Sequence, residues 1–307
     1  MIERQGMSSV PAILQPASFS VLRRASDFWT LTKPEVNFLV VMSSLAGFYA
    51  ASRGPLDWAL LLHTLAGTLL VASGTATLNQ LIERDADALM RRTSLRPLPA
   101  RRMPAWHALV FGIFLSIAGG AYLLVAVNAL ACILAMSTLL TYLLIYTPLK
   151  KRTPWCTFLG AFPGAAPPLI GWAGAAGSLS RDAWVLYAIL FLWQFPHFLA
   201  IAWMYREDYA RAGLKMLPQN DAEGDAAMRQ IMAGALLLLP VSLLPTWLGQ
   251  AGSYYLAGAA LLGLMYIYSG FRLATARTNT RARRLVLASV VYLPLVFALL
   301  MLDKSGI

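Results

Sequence analysis

Apolar runs of roughly 20 residues, each long enough to cross a bilayer core as a helix, recur along the chain at about 35–52, 57–79, 104–125, 128–147, 155–177, 183–204, 229–248, 252–272 and 285–302. Between them lie polar segments of two kinds. The segments after the second, fourth, sixth and eighth runs are long and charged, whereas the others are short. This pattern predicts an all-α polytopic membrane bundle of nine transmembrane helices. Residues 1 to about 30 mix Pro, Ser, Gln and Arg, with no apolar core ahead of a small-residue cleavage site. They read as a poorly ordered cytoplasmic tail, and 31–307 as one transmembrane domain.

Composition agrees with the pattern. Of 307 residues, 58% are apolar and 13% charged, and the mean hydropathy of +0.61 excludes a soluble domain of this length. In a soluble chain the net charge of +11 would raise the question of nucleic acid; here topology accounts for it. With the N-terminus cytoplasmic, 22 of the 25 Lys and Arg residues fall on that side, which places the C-terminus outside and the long polar loops inside. Cys132 and Cys156 lack ligand or disulfide spacing and read as packing residues.

The densest charge follows the second run. Asn79, Glu83 and Asp87 stand at i, i+4 and i+8 on one helical face, where they can hold a divalent cation. Arg91, Arg92 and Arg96 follow, and Pro97 pushes Arg96 out of the helical region, turning the chain back over the carboxylates. Acid and base in one small space suit a metal-bound polyanion such as diphosphate; a solvated juxtamembrane loop with topology-setting arginines suits the spacing equally well. The loop after the sixth run repeats the theme with Arg206, Glu207, Asp208, Arg211 and Lys215. Two similar four-helix halves would bring the two loops together across a central cavity; charged loops after every second span, as any membrane protein carries, are the simpler reading of the same pattern.

Inside the sixth run, Pro196 is followed by His197. An ionisable residue within a span marks a functional candidate, set against a structural hydrogen bond to a neighbouring helix. Along a regular helix it lies about 16 Å from Asp208, eleven residues away. His63 and His107 read as structural. Pro167 and Pro168 should break the fifth run, and a break at membrane depth borders a cavity or protein.

Several motifs carry a family resemblance: LTKP at 31–34, N-x3-E-x3-D at 79–87, RTSLRPLP at 92–99, YTPLKKRTP at 146–154, GAAPPLIGW at 164–172, WQFPHF at 193–198 and DYARAGLKMLP at 208–218. Through them the chain, from Leu31 to the last span, resembles the UbiA superfamily of intramembrane prenyltransferases, and within it the branch that farnesylates haem. The resemblance implies a UbiA-type bundle with a central cavity open toward the cytoplasmic side. It implies transfer of the farnesyl group of farnesyl diphosphate to a vinyl group of haem B, giving haem O and diphosphate. Asn79, Glu83, Asp87 and Asp208 would then be catalytic Mg²⁺ ligands, Lys33, Arg92, Arg96, Lys150 and Lys215 would bind diphosphate, and His197 would orient or ligate haem. Gln80 and Glu83 stand where many members carry Asp, which leaves the number of Mg²⁺ ions open. Haem B is implied as substrate rather than cofactor, a bacterial inner membrane as the location, and haem A synthase or a terminal oxidase as acceptor of the product. A UbiA-type enzyme acting on a quinone or chlorin precursor, and a carboxylate-lined transporter, are the competing readings.

Overall fold

The computed structural model describes residues 17–217, 221 and 223–305. Among them the architecture is all-α, with one isolated bridge between Ala251 and Lys304. Seven helices are long and apolar enough to cross a membrane: α3 (Trp58–Ala88), α4 (Ala105–Ala126), Ala129–Leu149, α9 (Arg181–Met204), α11 (Asp225–Trp247), α12 (Ser253–Ala276) and α13 (Asn279–Leu302). The chain is thus a multi-pass membrane protein. The other two of the nine expected spans fall short for visible reasons. The first, α2 (Pro34–Ala51), is long enough at 18 residues but carries Glu35 and Asn37 near its start, which make it less apolar than the other spans. The other is broken into α7 (Cys156–Gly164) and α8 (Pro167–Ala176), because each proline of the Pro167–Pro168 pair lacks a backbone donor. Gln194 braces the chain beside the break, its Nε2 donating at 3.1 Å to the Ala161 carbonyl, which also accepts from the Ala165 nitrogen.

Of the residues expected to form a tail, 1–16 lie outside the described residues, and Ala17–Leu31 forms a helix, α1. The correction has a physical cause. Leu31 is fully buried, Phe28 packs edge-on against Phe111 at 4.9 Å, and Arg102 donates to Asp27 at 2.7 and 3.0 Å. Tertiary anchors thus hold a segment whose composition alone suggests none.

Length explains how the site leaves the membrane. At 31 residues and 1.5 Å per residue, α3 runs about 46 Å, well past a hydrocarbon core of about 30 Å. Asn79 to Asp87 ride on the overshoot. Small residues let the helix pack antiparallel on α4: a Cβ on Gly119 would lie 2.7 Å from the Val71 nitrogen, and one on Gly112 would lie 2.7 Å from Leu78.

The tightest approach joins α2 to α8. A Cβ on Gly171 would stand 1.8 Å from the Ser44 carbonyl oxygen, and one on Gly47 would stand 2.0 Å from that of Pro168. Backbone has nowhere to retreat, so Gly171→Ala is expected to cost at the upper end of the about 1–3 kcal/mol typical of overpacking. Gly270→Ala, whose nearest neighbours lie at 3.5 Å, is expected to be neutral or stabilising. Unfolding midpoints of the two detergent-solubilised variants check the contrast; equal midpoints would refute it.

The other end of the bundle is closed by the chain's last residues. Lys304 Nζ donates to the carbonyl of Tyr49 at 2.8 Å and to that of Ser52, and Asp303 accepts from the Tyr255 nitrogen at 2.7 Å. These bonds satisfy helix-end groups of α2 and α12.

Candidate active site at the charged mouth

The end of α3, the loop 89–104, the end of the fourth expected span and the segment 205–217 converge on one mouth. Arg96 turns back as its proline requires, and its Nη1 donates to Asp87 Oδ2 at 2.9 Å. Asp87 is only 2% exposed. The two charged loops meet directly: the Arg92 backbone nitrogen donates to Asp208 Oδ2 at 3.3 Å, and Arg211 Nε donates to the Leu89 carbonyl at 2.9 Å while its Nη2 pairs with Asp208 Oδ1.

Ala129–Leu149 widens before its end. Residues Tyr142–Tyr146 form a π-helical turn, and the final turn Thr147–Leu149, α6, follows. Such wide turns cluster at functional sites. Here the turn aims Thr147 and Lys150 into the mouth. Lys150 Nζ donates to Glu83 Oε1 at 2.7 Å and lies 4.5 Å from the Tyr146 ring centroid. Burial alone would lower its pKa, but the Tyr146 and Glu83 partners outweigh this and hold it well above the usual lysine value.

Asn79 Oδ1 accepts from Lys33 Nζ at 2.8 Å and its Nδ2 donates to Thr147 Oγ1 at 3.2 Å, so its amide, like each mouth carboxylate, already holds a base in place. Lys33 itself has φ 51°, a left-handed conformation uncommon outside glycine. It caps α2, and its geometry aims the ammonium back at α3. Burial, then the Arg96 and Lys150 charges, lower its pKa to about 7, against the opposing pull of Glu83 and Asp87. Lys215 joins through its backbone, its nitrogen donating to the Lys150 carbonyl at 2.7 Å. Pro218, the end of that motif, lies outside the described residues.

Sequence reasoning assigned no role to Tyr146, Thr147, Tyr205 or Gln80. Tyr205 lies under the Arg92 guanidinium at 5.0 Å. Gln80, 1% exposed, donates from Nε2 to the carbonyls of Thr30 and Leu31 at 3.0 Å each, tying α1 to the mouth. YTPLKKRTP contained the signal for Tyr146 and Thr147; Gln80 and Tyr205 stood out only as departures from the residues that many family members carry.

His197 is held elsewhere. Buried on α9, it stacks on Trp193 at 4.6 Å and 18°, and its Nδ1 lies 2.6 Å from Ser289 Oγ on α13. The Ser289 hydroxyl also lies 2.6 Å from the Val286 carbonyl, which can only accept. Its one proton goes there, so its oxygen accepts from His197 Nδ1–H, and Nε2 keeps a lone pair. Among the described residues Nε2 has no hydrogen-bond partner. The regular helix expected between His197 and Asp208 is interrupted at Tyr205, where α9 ends and α10 (Arg206–Arg211) begins. The 16 Å depth estimate therefore does not carry over. His63 is structural as expected, with Nδ1 2.7 Å from the Tyr122 hydroxyl.

No group of three or more His, Cys, Asp or Glu residues converges as a ready metal cage among the described residues. Each mouth carboxylate faces a base instead. That donor set still fits Mg²⁺, which usually keeps waters and binds through one or two carboxylates plus substrate phosphates rather than through an all-protein cage.

Residues 40–298 match the model of the UbiA prenyltransferase family. Protoheme IX farnesyltransferase of Solibacter usitatus is 51% identical over 92% of this chain and 99% of its own length; that of Koribacter versatilis is 45% identical over 97% and 100%. Among solved structures, one from work on digeranylgeranylglyceryl phosphate synthase superposes with TM-score 0.74 at 19% identity, covering 92% of this chain and 98% of that one. A UbiA homologue from Archaeoglobus fulgidus bound to GPP and Mg²⁺ superposes with TM-score 0.63 at 15% identity, covering 89% and 99%.

Proposed function

The chain belongs to the UbiA prenyltransferase family, and we propose that it transfers the farnesyl group of farnesyl diphosphate to a vinyl group of haem B within the membrane. Diphosphate leaves, and water completes the hydroxyethylfarnesyl side chain of haem O. The observation that carries this reading is 51% identity across nearly the full length of a protoheme IX farnesyltransferase, joined to a mouth in which Glu83, Asp87 and Asp208 each face a base. We place the mouth on the cytoplasmic side of a bacterial inner membrane, with the C-terminus periplasmic, because Lys and Arg concentrate there.

Breaking the allylic C–O bond leaves negative charge on diphosphate oxygens. Bound Mg²⁺ would supply Lewis-acid stabilisation of that charge. Glu83, Asp87 and Asp208 would hold the ion, and Lys33, Lys150, Arg92 and Arg96 would turn to the phosphate oxygens. Asn79 positions Lys33, and Lys215 enters through the backbone of its segment. Arranged before the reaction, these donors can lower the barrier by several kcal/mol in a water-poor site. His197 presents its free Nε2 to haem iron.

Purified protein incubated with farnesyl diphosphate, Mg²⁺ and either haem B or 4-hydroxybenzoate tests the reading by product mass. Haem O formation supports it; prenylation of the phenol alone, or no diphosphate release with either acceptor, rejects it.

Lys33 adds a pH signature. Above about pH 7 its amine is largely neutral; an incoming diphosphate favours the charged form and raises its pKa. Binding should therefore take up a proton, approaching one per ligand near pH 8 and vanishing near pH 6, with affinity falling as pH rises above 7. Calorimetry of diphosphate binding in buffers of different ionisation enthalpy reads the uptake, and Lys33→Gln should abolish it. Equal heats in all buffers at pH 8 would refute the assignment.

A further inference from the structure

Away from the mouth, two lipid-facing stripes each end in an arginine. On α12, Leu261, Leu264 and Tyr268 are exposed at helical spacing, and Arg272 stands one turn further on. On α13, Arg284 opens a stripe continued by the exposed Leu287, Val291 and Leu295. Together with Ser269 and Arg281, the arginines line a groove of about 190 Å³ that contains no carboxylate.

The groove opens at the same end as the mouth. Trp203 Nε1 donates to the Arg277 carbonyl at 2.9 Å, and Arg206 Nη1 donates to Asn279 Oδ1 at 3.1 Å. These bonds fasten the α12–α13 turn to the segment that carries Asp208. The lining arginines are unequally engaged. Arg281 Nη1 donates to the Arg272 carbonyl at 2.7 Å and to Thr275 Oγ1 at 3.0 Å, capping α12. Arg272 spends one nitrogen on the Tyr268 hydroxyl at 2.8 Å. Among the described residues, Arg284 makes no side-chain hydrogen bond or ion pair. Donor capacity is therefore left over in a groove without an internal anion.

We propose that this groove binds the phosphodiester of an anionic phospholipid, whose acyl chains lie along the two stripes. A soluble anion would need only the charge. The stripes specify a ligand whose charge sits at the end of hydrocarbon, because each arginine occupies the headgroup end of a row that otherwise faces lipid tails. Basic pockets between helices on the cytoplasmic side recognise anionic headgroups in this way.

The test uses full-length protein, delipidated in detergent and then given phosphatidylglycerol, phosphatidylcholine or glycerol 3-phosphate, with bound lipid counted by native mass spectrometry and the unfolding midpoint measured alongside. Phosphatidylglycerol should be retained and raise the midpoint; the other two should not. Arg272→Gln with Arg284→Gln should weaken phosphatidylglycerol retention by roughly fivefold per arginine. Arg283→Gln, exposed but on another face, should leave it unchanged. Should the double variant fold poorly, Arg284→Gln alone gives the same reading, since its side chain holds nothing else in place. Unchanged retention in these variants, an equal loss in Arg283→Gln, or stabilisation by glycerol 3-phosphate matching that of the lipid would each overturn the proposal.

Discussion

Replacing Asp87 with Asn is expected to lower turnover by about a hundred- to a thousandfold, the usual cost of removing one group that stabilises developing charge, while the bundle stays folded. Asparagine is the right probe because Asp87 is not a solvent-facing carboxylate, as its place beside a polar loop suggests. It is 2% exposed and paired with Arg96 at 2.9 Å. Alanine would leave that guanidinium without an acceptor and mix a stability loss into the result; asparagine keeps the shape and one neutral oxygen. Turnover with farnesyl diphosphate and haem B, measured beside the unfolding midpoint, decides the matter. Activity within threefold of the parent would remove Asp87 from the site.

His197→Ala is expected to weaken haem binding by at least about a hundredfold and to change the haem absorption spectrum, with farnesyl diphosphate binding intact. Altering even an outer-shell partner of a metal-binding histidine costs about 10–100-fold, so removing the nitrogen itself should cost more. Ser289→Ala should fall in that outer-shell range, since it frees the tautomer without removing Nε2, and Ser289→Thr should restore binding. A histidine that only packs predicts another outcome: both variants lower stability, and haem affinity is normal in the folded fraction. Affinities for the two substrates, taken with the unfolding midpoints, separate the cases.

Much of the site was legible because its geometry is local. Asn79, Glu83 and Asp87 share a face by helical spacing, and Pro97 returns Arg96 to Asp87 as its steric restriction requires. The matching places of the two charged loops left their meeting as one of two readings, and it is realised in the Arg92 to Asp208 and Arg211 to Leu89 bonds. The partnerships were not legible. Lys150 reaches Glu83 across 67 positions through a π-helical turn with no sequence signature, and the Asn79 amide is claimed by Lys33 from a residue in an unusual backbone conformation. The α1 helix was missed because its anchors, Phe111 and Arg102, lie far along the chain. The break at Tyr205 has neither proline nor glycine to announce it.

The pairing of the mouth's charges also bears on how substrate arrives. Lys150, Arg96 and Arg211 answer Glu83, Asp87 and Asp208 one for one, and burial lowers the pKa of Lys33 to about 7. Opposite charges a few ångströms apart cancel beyond a Debye length of about 8 Å, so these pairs add little to the field outside the mouth, which is left to the bases beyond them such as Arg91, Arg92 and Lys151. Steering from afar, with the steep dependence of association rate on salt that it brings, therefore rests on those rim bases rather than on the paired groups within. Discrimination among prenyl diphosphates then rests on residence time, set by how well each ligand replaces the internal partners once it has entered.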